Sequence, residues 1–141
     1  MNHSEDREIG FKASETIKIT DKMVRQFSEM SGDVNPIHLD DQYAAQTRFK
    51  QRIAHGMILG ALVSRFLNEK IGSGGIYLAQ TLKFKNPVFI DDDITFDLEV
   101  TKLHKTRGLG TIETIAKKTK TGEIVMKGEA TIMMAWGVKD E

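Results

Sequence analysis

Residues 76–85 alternate between apolar and polar side chains, and residues 94–100 do the same after a break at Asn86-Pro87. Successive side chains of a β-strand point to opposite faces, so a period of two indicates a strand with one buried face. Residues 16–20 form a shorter run of the same kind. The pattern predicts three strands, one of them near the N-terminus.

The C-terminal third continues the strand pattern. Residues 109–116 predict a strand with a bulge or twist, because Ile112 and Ile115 are out of phase. A hairpin turn is predicted at residues 120–122, and a last strand follows it. We expect one face of this strand to carry Ile124, Met126, Ala130, Ile132, Met134 and Trp136.

The first half of the chain has helical periodicity. Thr20 or Asp21 can cap a helix, because either side-chain oxygen can accept a hydrogen bond from a free backbone N–H. Gly32 is expected to end that helix. Its predicted apolar stripe consists of Met23, Val24, Phe27 and Met30.

Two further helices are predicted before the strands begin. Asp40 can cap a short helix through Tyr43 and Ala45. Residues 54–71 are apolar on nearly every side in their middle, which is typical of a helix surrounded by protein, and the glycines of 72–75 end it. Long strands that follow one buried helix predict an antiparallel sheet wrapped around that helix. The expected class is therefore α+β, with a single domain over residues 1–141.

Composition excludes several kinds of protein. The 20 basic residues balance 20 acidic ones, so the basic excess of a nucleic-acid binder is missing. The chain has no cysteine, which removes disulfides and Cys-ligated metals. Its four histidines lack the spacing of metal ligands, so no metal and no cofactor are expected. The sequence contains neither a signal-peptide pattern nor a membrane-length apolar run, and a cytoplasmic location is predicted.

Asp33 and His38 are the candidate acid–base pair. Asn35-Pro36 lies between them, and a residue before proline is pushed out of the helical region. The turn lets the two side chains point toward each other. A carboxylate can take a proton from water, and an imidazole can orient that water or pass the proton on. In isolation the same spacing also fits a turn-capping Asp and a buried structural His.

Gly56 is the second candidate. It stands at the start of the apolar helix, where backbone N–H groups are free and carry partial positive charge. Without a side chain there, a ligand oxygen can approach the backbone, as a thioester oxygen that gains charge in a transition state requires. Close packing of the helix start is the alternative role. We expect His55, the residue before it, to be mainly structural.

Three segments together resemble the hydratase 2 motif of the MaoC-like family, which contains (R)-specific enoyl-CoA hydratases. They are SGDVNPIHLD at 31–40, YAA at 43–45 and IAHGM at 53–57. The later segment GIYLAQTLKFKNPV at 75–88 is similar to the same small hydratases. The resemblance covers nearly the whole chain and implies a hot-dog fold, in which an antiparallel sheet grips a long central helix.

The resemblance also implies a reaction, the reversible hydration of trans-2-enoyl-CoA to (R)-3-hydroxyacyl-CoA. Asp33 and His38 match the catalytic residues of the family, and Gly56 matches the glycine whose N–H holds the thioester oxygen. Ser64 matches a serine found near the catalytic pair and is taken as substrate-binding. The sequence departs from the usual pattern at Asp41, a frequent proline position.

Several alternatives stay open from the sequence. The enzyme can act as a 3-hydroxyacyl-thioester dehydratase on acyl-carrier-protein substrates, which is the same site run backward. A hot-dog acyl-CoA thioesterase and a non-catalytic acyl-CoA binding protein are the competitors from other classes. A homodimer or a dimer-based oligomer is expected, because an uncovered sheet edge needs a partner. Neither nucleic acid nor a membrane is an expected partner.

Overall fold

The computed structural model describes residues 8–138, and one antiparallel five-stranded sheet dominates it. The strands lie in the order β1-β3-β4-β5-β2, so β1 and β2 form the two edges. The strand bounds are β1 Lys12–Lys18, β2 Ile76–Phe84, β3 Asp93–His104, β4 Leu109–Lys118 and β5 Ile124–Met133. The α+β class with an antiparallel sheet is confirmed.

The central strands follow the predicted alternation. Ile94, Phe96, Leu98 and Val100 of β3 are all buried. The register of β3 against β4 shifts between Val100 and Lys102, so the extra residue lies on β3. Burial along β4 alternates regularly, and the bulge predicted within residues 109–116 is therefore not on that strand. Alternating burial places the apolar faces of these strands in one core.

The edge strand β2 departs from the prediction. Its alternation is interrupted by a register shift between Tyr77 and Ala79. Ile76, Leu78 and Phe84, expected on a buried face, are instead exposed. A strand at the edge of a sheet has a neighbouring strand on one side only. Elements of the same chain therefore cover its side chains less completely than those of a central strand.

Helix α1 spans Asp21–Ser31. Thr20 is its N-cap, with its side chain accepting from the Met23 N–H, and Gly32 ends it in the left-handed conformation at φ 80°. Val24 is buried and Phe27 packs against the core, but Met30 is 74% exposed. The predicted apolar stripe therefore ends one turn early.

Two short helices, α2 Pro36–Leu39 and α3 Asp41–Ala45, precede the long one. Asp40 caps α3 as predicted, since its carboxylate accepts from the Tyr43 N–H at 3.0 Å. A last short helix, α5, spans Ala135–Val138. It contains Trp136, so the prediction that the last strand extends to this residue was wrong.

Helix α4 spans Gly56–Phe66 and continues as a π-helical turn over Leu67–Ile71. Its inner side packs on the sheet, with the rings of Phe66 and Phe96 5.3 Å apart. The opposite side is open in this chain, where Met57 and Ser64 are exposed. The prediction of a helix surrounded on every side was therefore wrong for the single chain.

None of the helices formed by residues 8–138 is long and apolar enough to cross a membrane.

Candidate active site

The loop after α1 is built by local hydrogen bonds. Gly32 reverses the chain, and the Asp33 N–H donates to Ser31 Oγ at 3.1 Å. The Asp33 carboxylate then accepts from the Asn35 N–H at 3.3 Å, which fixes the turn before Pro36. Short polar side chains that bond to the backbone two residues away favour turns of this kind. The loop holds Asp33 at the surface, with its side chain tied to its own turn.

His38 lies on α2, and its ring is anchored from one side. Asn35 caps this helix through its side chain, and Pro36 occupies the first turn. His38 Nδ1 lies 2.7 Å from the carbonyl oxygen of Ile53. A carbonyl can only accept a hydrogen bond, so Nδ1 carries the proton. Nε2 of neutral His38 is therefore left with a free lone pair.

The fold brings Asp33 and His38 together with His55. One side-chain ligand atom from each of the three lies within 4.8 Å of the other two. No hydrogen bond joins Asp33 directly to His38 within residues 8–138. Polar groups within such a distance of each other can share one water molecule, because each hydrogen bond spans about 2.8 Å.

His55 takes a larger part in this cluster than the sequence suggested. Its side chain is only 3% exposed, and its Nε2 lies 3.1 Å from the carbonyl oxygen of Asp33 and 3.1 Å from Ser28 Oγ. Burial lowers the pKa of His55 below its usual range, and the nearby His38 acts in the same direction. His55 is therefore neutral near pH 7. Its proton is on Nε2, which donates to the Asp33 carbonyl.

Gly56 begins helix α4, directly after His55 at the N-cap. No residue within 8–138 accepts a hydrogen bond from the Gly56 N–H, as expected for the first turn of a helix. A Cβ added at Gly56 would lie 2.8 Å from the ring of Phe84, so only glycine fits under this ring as it stands. The free N–H and the positive end of the helix form a ready donor site for an anionic oxygen.

A cavity of about 390 Å³ joins these groups. Asp33, His38 and Gly56 line it together, and buried Leu59 and Val88 contribute apolar surface. The three residues thus surround one space, with polar groups beside an apolar wall. This is the usual composition of a site for a small, largely apolar ligand.

Ser64 does not line that cavity. It lies eight residues after Gly56 on α4, which places it about 12 Å further along the helix axis. Its own cavity, of about 260 Å³, is also lined by Tyr77 and Ile132. Within one chain, Ser64 is thus separated from Asp33 and His38, and its substrate-binding role stays a prediction.

Each residue of this cluster keeps one ligand atom that could hold a metal ion. Nδ1 of His38 and Nε2 of His55 already face backbone carbonyls. The Asp33 carboxylate and His38 Nε2 remain, together with His55 Nδ1, which is buried and without a hydrogen-bond partner. Sequence spacing did not reveal this grouping, because His38 and His55 are joined by tertiary contacts and not by a local motif.

Sequence reasoning missed the residue that supports the far side of α2. Arg52 is buried and donates from Nε to the His38 carbonyl at 2.7 Å. Its NH2 group also pairs with the Asp21 carboxylate at the start of α1. In the sequence, Arg52 is only an arginine directly before an apolar segment. That pattern does not indicate a contact with His38 or Asp21, which only the tertiary structure shows.

A family model for the MaoC like domain matches residues 5–129. The chain is 39% identical over 128 residues to an (R)-specific enoyl-CoA hydratase of Aeromonas caviae, covering 90% of this chain and 95% of the relative. It is 38% identical to a 3-hydroxybutyryl-CoA dehydratase of Methylorubrum extorquens, covering 91% of this chain and 81% of the relative.

Solved structures give the same result. An unliganded R-hydratase of Pseudomonas aeruginosa superposes with a TM-score of 0.88 at 41% identity, covering 94% of this chain and 84% of the other. The Aeromonas caviae (R)-hydratase also gives 0.88, at 37% identity, covering 92% and 98% of the two chains. These matches confirm the predicted hot-dog fold.

Proposed function

Because the chain belongs to the MaoC-like domain family, we propose that it is an (R)-specific enoyl-CoA hydratase. The reaction adds water reversibly to a trans-2-enoyl-CoA and gives the (R)-3-hydroxyacyl-CoA. One observation carries this proposal. The Asp33 carboxylate, the His38 ring and the free N–H of Gly56 surround a single cavity. The activity thus uses a base, a water-orienting imidazole and an oxyanion donor.

Asp33 and His38 hold the reacting water between them. The Asp33 carboxylate takes a proton from this water as its oxygen attacks C3 of the enoyl thioester. His38 accepts the other water O–H at Nε2, because Nδ1 donates to Ile53. The abstracted proton is delivered to C2, so the OH at C3 and the new hydrogen at C2 both come from one water molecule.

The Gly56 N–H stabilises the charge that develops on the thioester oxygen. Attack at C3 pushes electron density through C2 into the carbonyl, which becomes enolate-like. A preorganised donor at a helix N-terminus is stronger toward this oxyanion than toward the neutral carbonyl, so it lowers the barrier. Proton return to C2 then restores the neutral thioester.

Dehydration is the same path in reverse, so the site supports both directions. The likeness to a relative named 3-hydroxybutyryl-CoA dehydratase supports this part of the proposal. A cytoplasmic location also remains part of the proposal, supported by the likeness to a bacterial hydratase.

A homodimer completes the proposed assembly. The outer face of α4 and the edge strand β2 leave a cavity of about 440 Å³ whose lining is nearly all apolar, with Met57, Ala61 and Leu82 among its residues. Met57 is 53% exposed and Leu78 is 49% exposed. A second copy that pairs along β2 would cover this surface, which we name the α4–β2 face. It would also place Ser64, exposed on the same helix, at the seam between the two chains.

Loss of enoyl absorbance from crotonyl-CoA tests the function. We expect rapid hydration, with the (R)-3-hydroxy product identified by chiral chromatography. A thiol reagent added to the same reaction measures free CoA. Release of CoA without hydration would identify a thioesterase, tight binding without turnover would identify a binding protein, and a mainly (S) product would contradict the proposed stereochemistry.

A further inference from the structure

Two basic side chains border the cavity that holds Asp33 and His38. Arg48 lies in the turn between α3 and α4, and Lys85 directly follows β2. Both are exposed and both line the cavity, so they stand where it opens to solvent. Of the residues between 8 and 138, Asp33 is the only carboxylate that lines the cavity. The opening therefore carries more positive than negative charge, although the chain as a whole is neutral.

Neither cation is neutralised by a carboxylate of the described part of the chain. Within residues 8–138, no carboxylate forms an ion pair with Arg48 or Lys85. Arg52, only four residues after Arg48, is by contrast buried and paired with Asp21. Arg48 and Lys85 are thus available to an anion that approaches the opening.

Each cation is held in a way that suits an anionic ligand. The guanidinium of Arg48 lies 4.9 Å from the ring centroid of Phe49, which also lines the cavity. An aromatic contact of this kind orients the planar group while its N–H donors stay free for bidentate contact with a phosphate. The backbone of Lys85 is fixed, because its N–H donates to the Val125 carbonyl at 2.8 Å. The ammonium group on its flexible side chain supplies a mobile point charge.

We propose that Arg48 and Lys85 form a recognition site for the phosphate of the pantetheine arm that carries the acyl thioester. This inference rests on the proposed function, because it assumes a thioester at Asp33 and His38. The apolar acyl chain has no charge that could bind to the two cations. The carrier of the acyl group does have negative charge. Coenzyme A and acyl-carrier protein both attach the acyl group through a phosphopantetheine, so the shared ligand chemistry is a phosphate ester.

The experiment compares a substrate that has phosphate with one that lacks it. Arg48→Ala and Lys85→Ala are assayed with crotonyl-CoA and with crotonyl-pantetheine. We expect each substitution to lower the ratio of kcat/KM for crotonyl-CoA to kcat/KM for crotonyl-pantetheine about 10-fold. A hydrogen bond to a charged group contributes affinity of that order. The loss should appear in KM and should shrink in high salt.

Lys83→Ala is the matched control, since Lys83 is exposed on β2 but does not line the cavity. It should leave the substrate ratio as in the wild type. Equal losses on crotonyl-CoA and crotonyl-pantetheine, or a ratio that none of the variants changes, would refute phosphate recognition. Wild-type protein that hydrates neither substrate would instead refute the proposed function.

Two further substrates identify the carrier. Crotonyl-4′-phosphopantetheine keeps only the phosphate that both carriers share, and crotonyl-acyl-carrier protein presents it on a protein. If Arg48→Ala weakens use of all three phosphorylated substrates, the pair recognises the shared phosphate, as proposed. A loss confined to crotonyl-CoA would overturn that assignment and move the contact to the nucleotide phosphates.

Discussion

The imidazole rings of His38 and His55 stack, with their centroids 3.9 Å apart and their planes inclined by 30°. The contact joins the half-buried ring of His38 to the buried ring of His55. Through Nε2, His55 also bonds to the carbonyl of Asp33. His55 therefore contacts both members of the proposed acid–base pair and directly precedes Gly56, the proposed oxyanion donor.

Replacing His55 tests this positioning role. His55→Phe keeps a flat ring under His38 but removes the Nε2–H that fixes the Asp33 carbonyl. We expect kcat to fall, by up to about 100-fold, because a small displacement of a reacting group is costly. KM should change less, since His55 is buried and its proposed role is to hold Asp33 and His38 in place. His104→Phe, on an exposed histidine at the end of β3, is the control and should retain full activity.

The same variant has a pH signature. Because the folded-state pKa of His55 is lowered by burial, the unfolded chain binds more protons than the folded one just below the ordinary value of 6.5. Wild-type stability should therefore decrease as pH falls through that value. His55→Phe should lose this part of the decrease, as measured by urea unfolding between pH 7 and pH 5. An unchanged pH slope would show that His55 is not held neutral by the fold.

Asp33→Asn and His38→Ala should each lower kcat about 100- to 10,000-fold. Asparagine keeps the turn hydrogen bond to the Asn35 N–H but cannot take a proton from water. Since both groups act on one water molecule, the double variant should be little worse than the poorer single variant. Circular dichroism should show all three variants folded. Near-normal rates in Asp33→Asn would return this residue to a turn-capping role.

Gly56 can be tested separately from its packing. Gly56→Ala alone should impair activity partly by moving the Phe84 ring, because the new Cβ would lie 2.8 Å from it. In a Phe84→Ala background that clash is removed. Alanine keeps the backbone N–H, so the added methyl group should lower kcat there only by hindering the approach of the thioester oxygen, and by less than the 100-fold typical of a missing oxyanion donor. Full recovery in the double variant would show that the absence of a side chain at Gly56 serves packing alone.

The α4–β2 face should be the dimer interface. Light scattering should give about twice the 15.8 kDa of one chain. Leu78→Lys places a charge on the edge strand and should shift the protein toward monomer, with loss of activity if the seam shapes the acyl site. Met30→Lys is the control, because Met30 is 74% exposed and does not line the cavity between α4 and β2. A wild-type monomer at assay concentration would contradict the proposed assembly.

Asp21, at the start of α1, pairs with Arg52, the residue that donates to the His38 carbonyl. The Arg52 guanidinium, followed by that of Arg25, holds the pKa of Asp21 below its usual 3.8. A lowered carboxylate pKa stabilises the fold above 3.8, and this contribution is lost as pH falls through the folded-state value. Asp21→Asn should cost about 1 kcal/mol at pH 7, since Asp21 is itself partly exposed. The difference from wild type should close in urea unfolding below pH 3.8.

The amino-acid sequence by itself determined the features that depend on local chemistry. Thr20 and Asp40 cap helices because their side chains reach free N–H groups three residues ahead. The strict alternation of β3 fixed its buried face, because a period of two leaves one choice of inward side. The motif from Ser31 to Asp40 pointed to Asp33 and His38 through the turn that Asn35-Pro36 enforces.

Tertiary structure decided what depends on contacts distant in sequence. His55 joins the site because α4 begins beside the loop of Asp33, which no spacing predicts. β2 has the alternation of a half-buried strand, but its place at the sheet edge leaves Leu78 exposed. Arg48 and Lys85 are two scattered basic residues in the sequence. They face one cavity only because the fold brings the turn after α3 close to the end of β2.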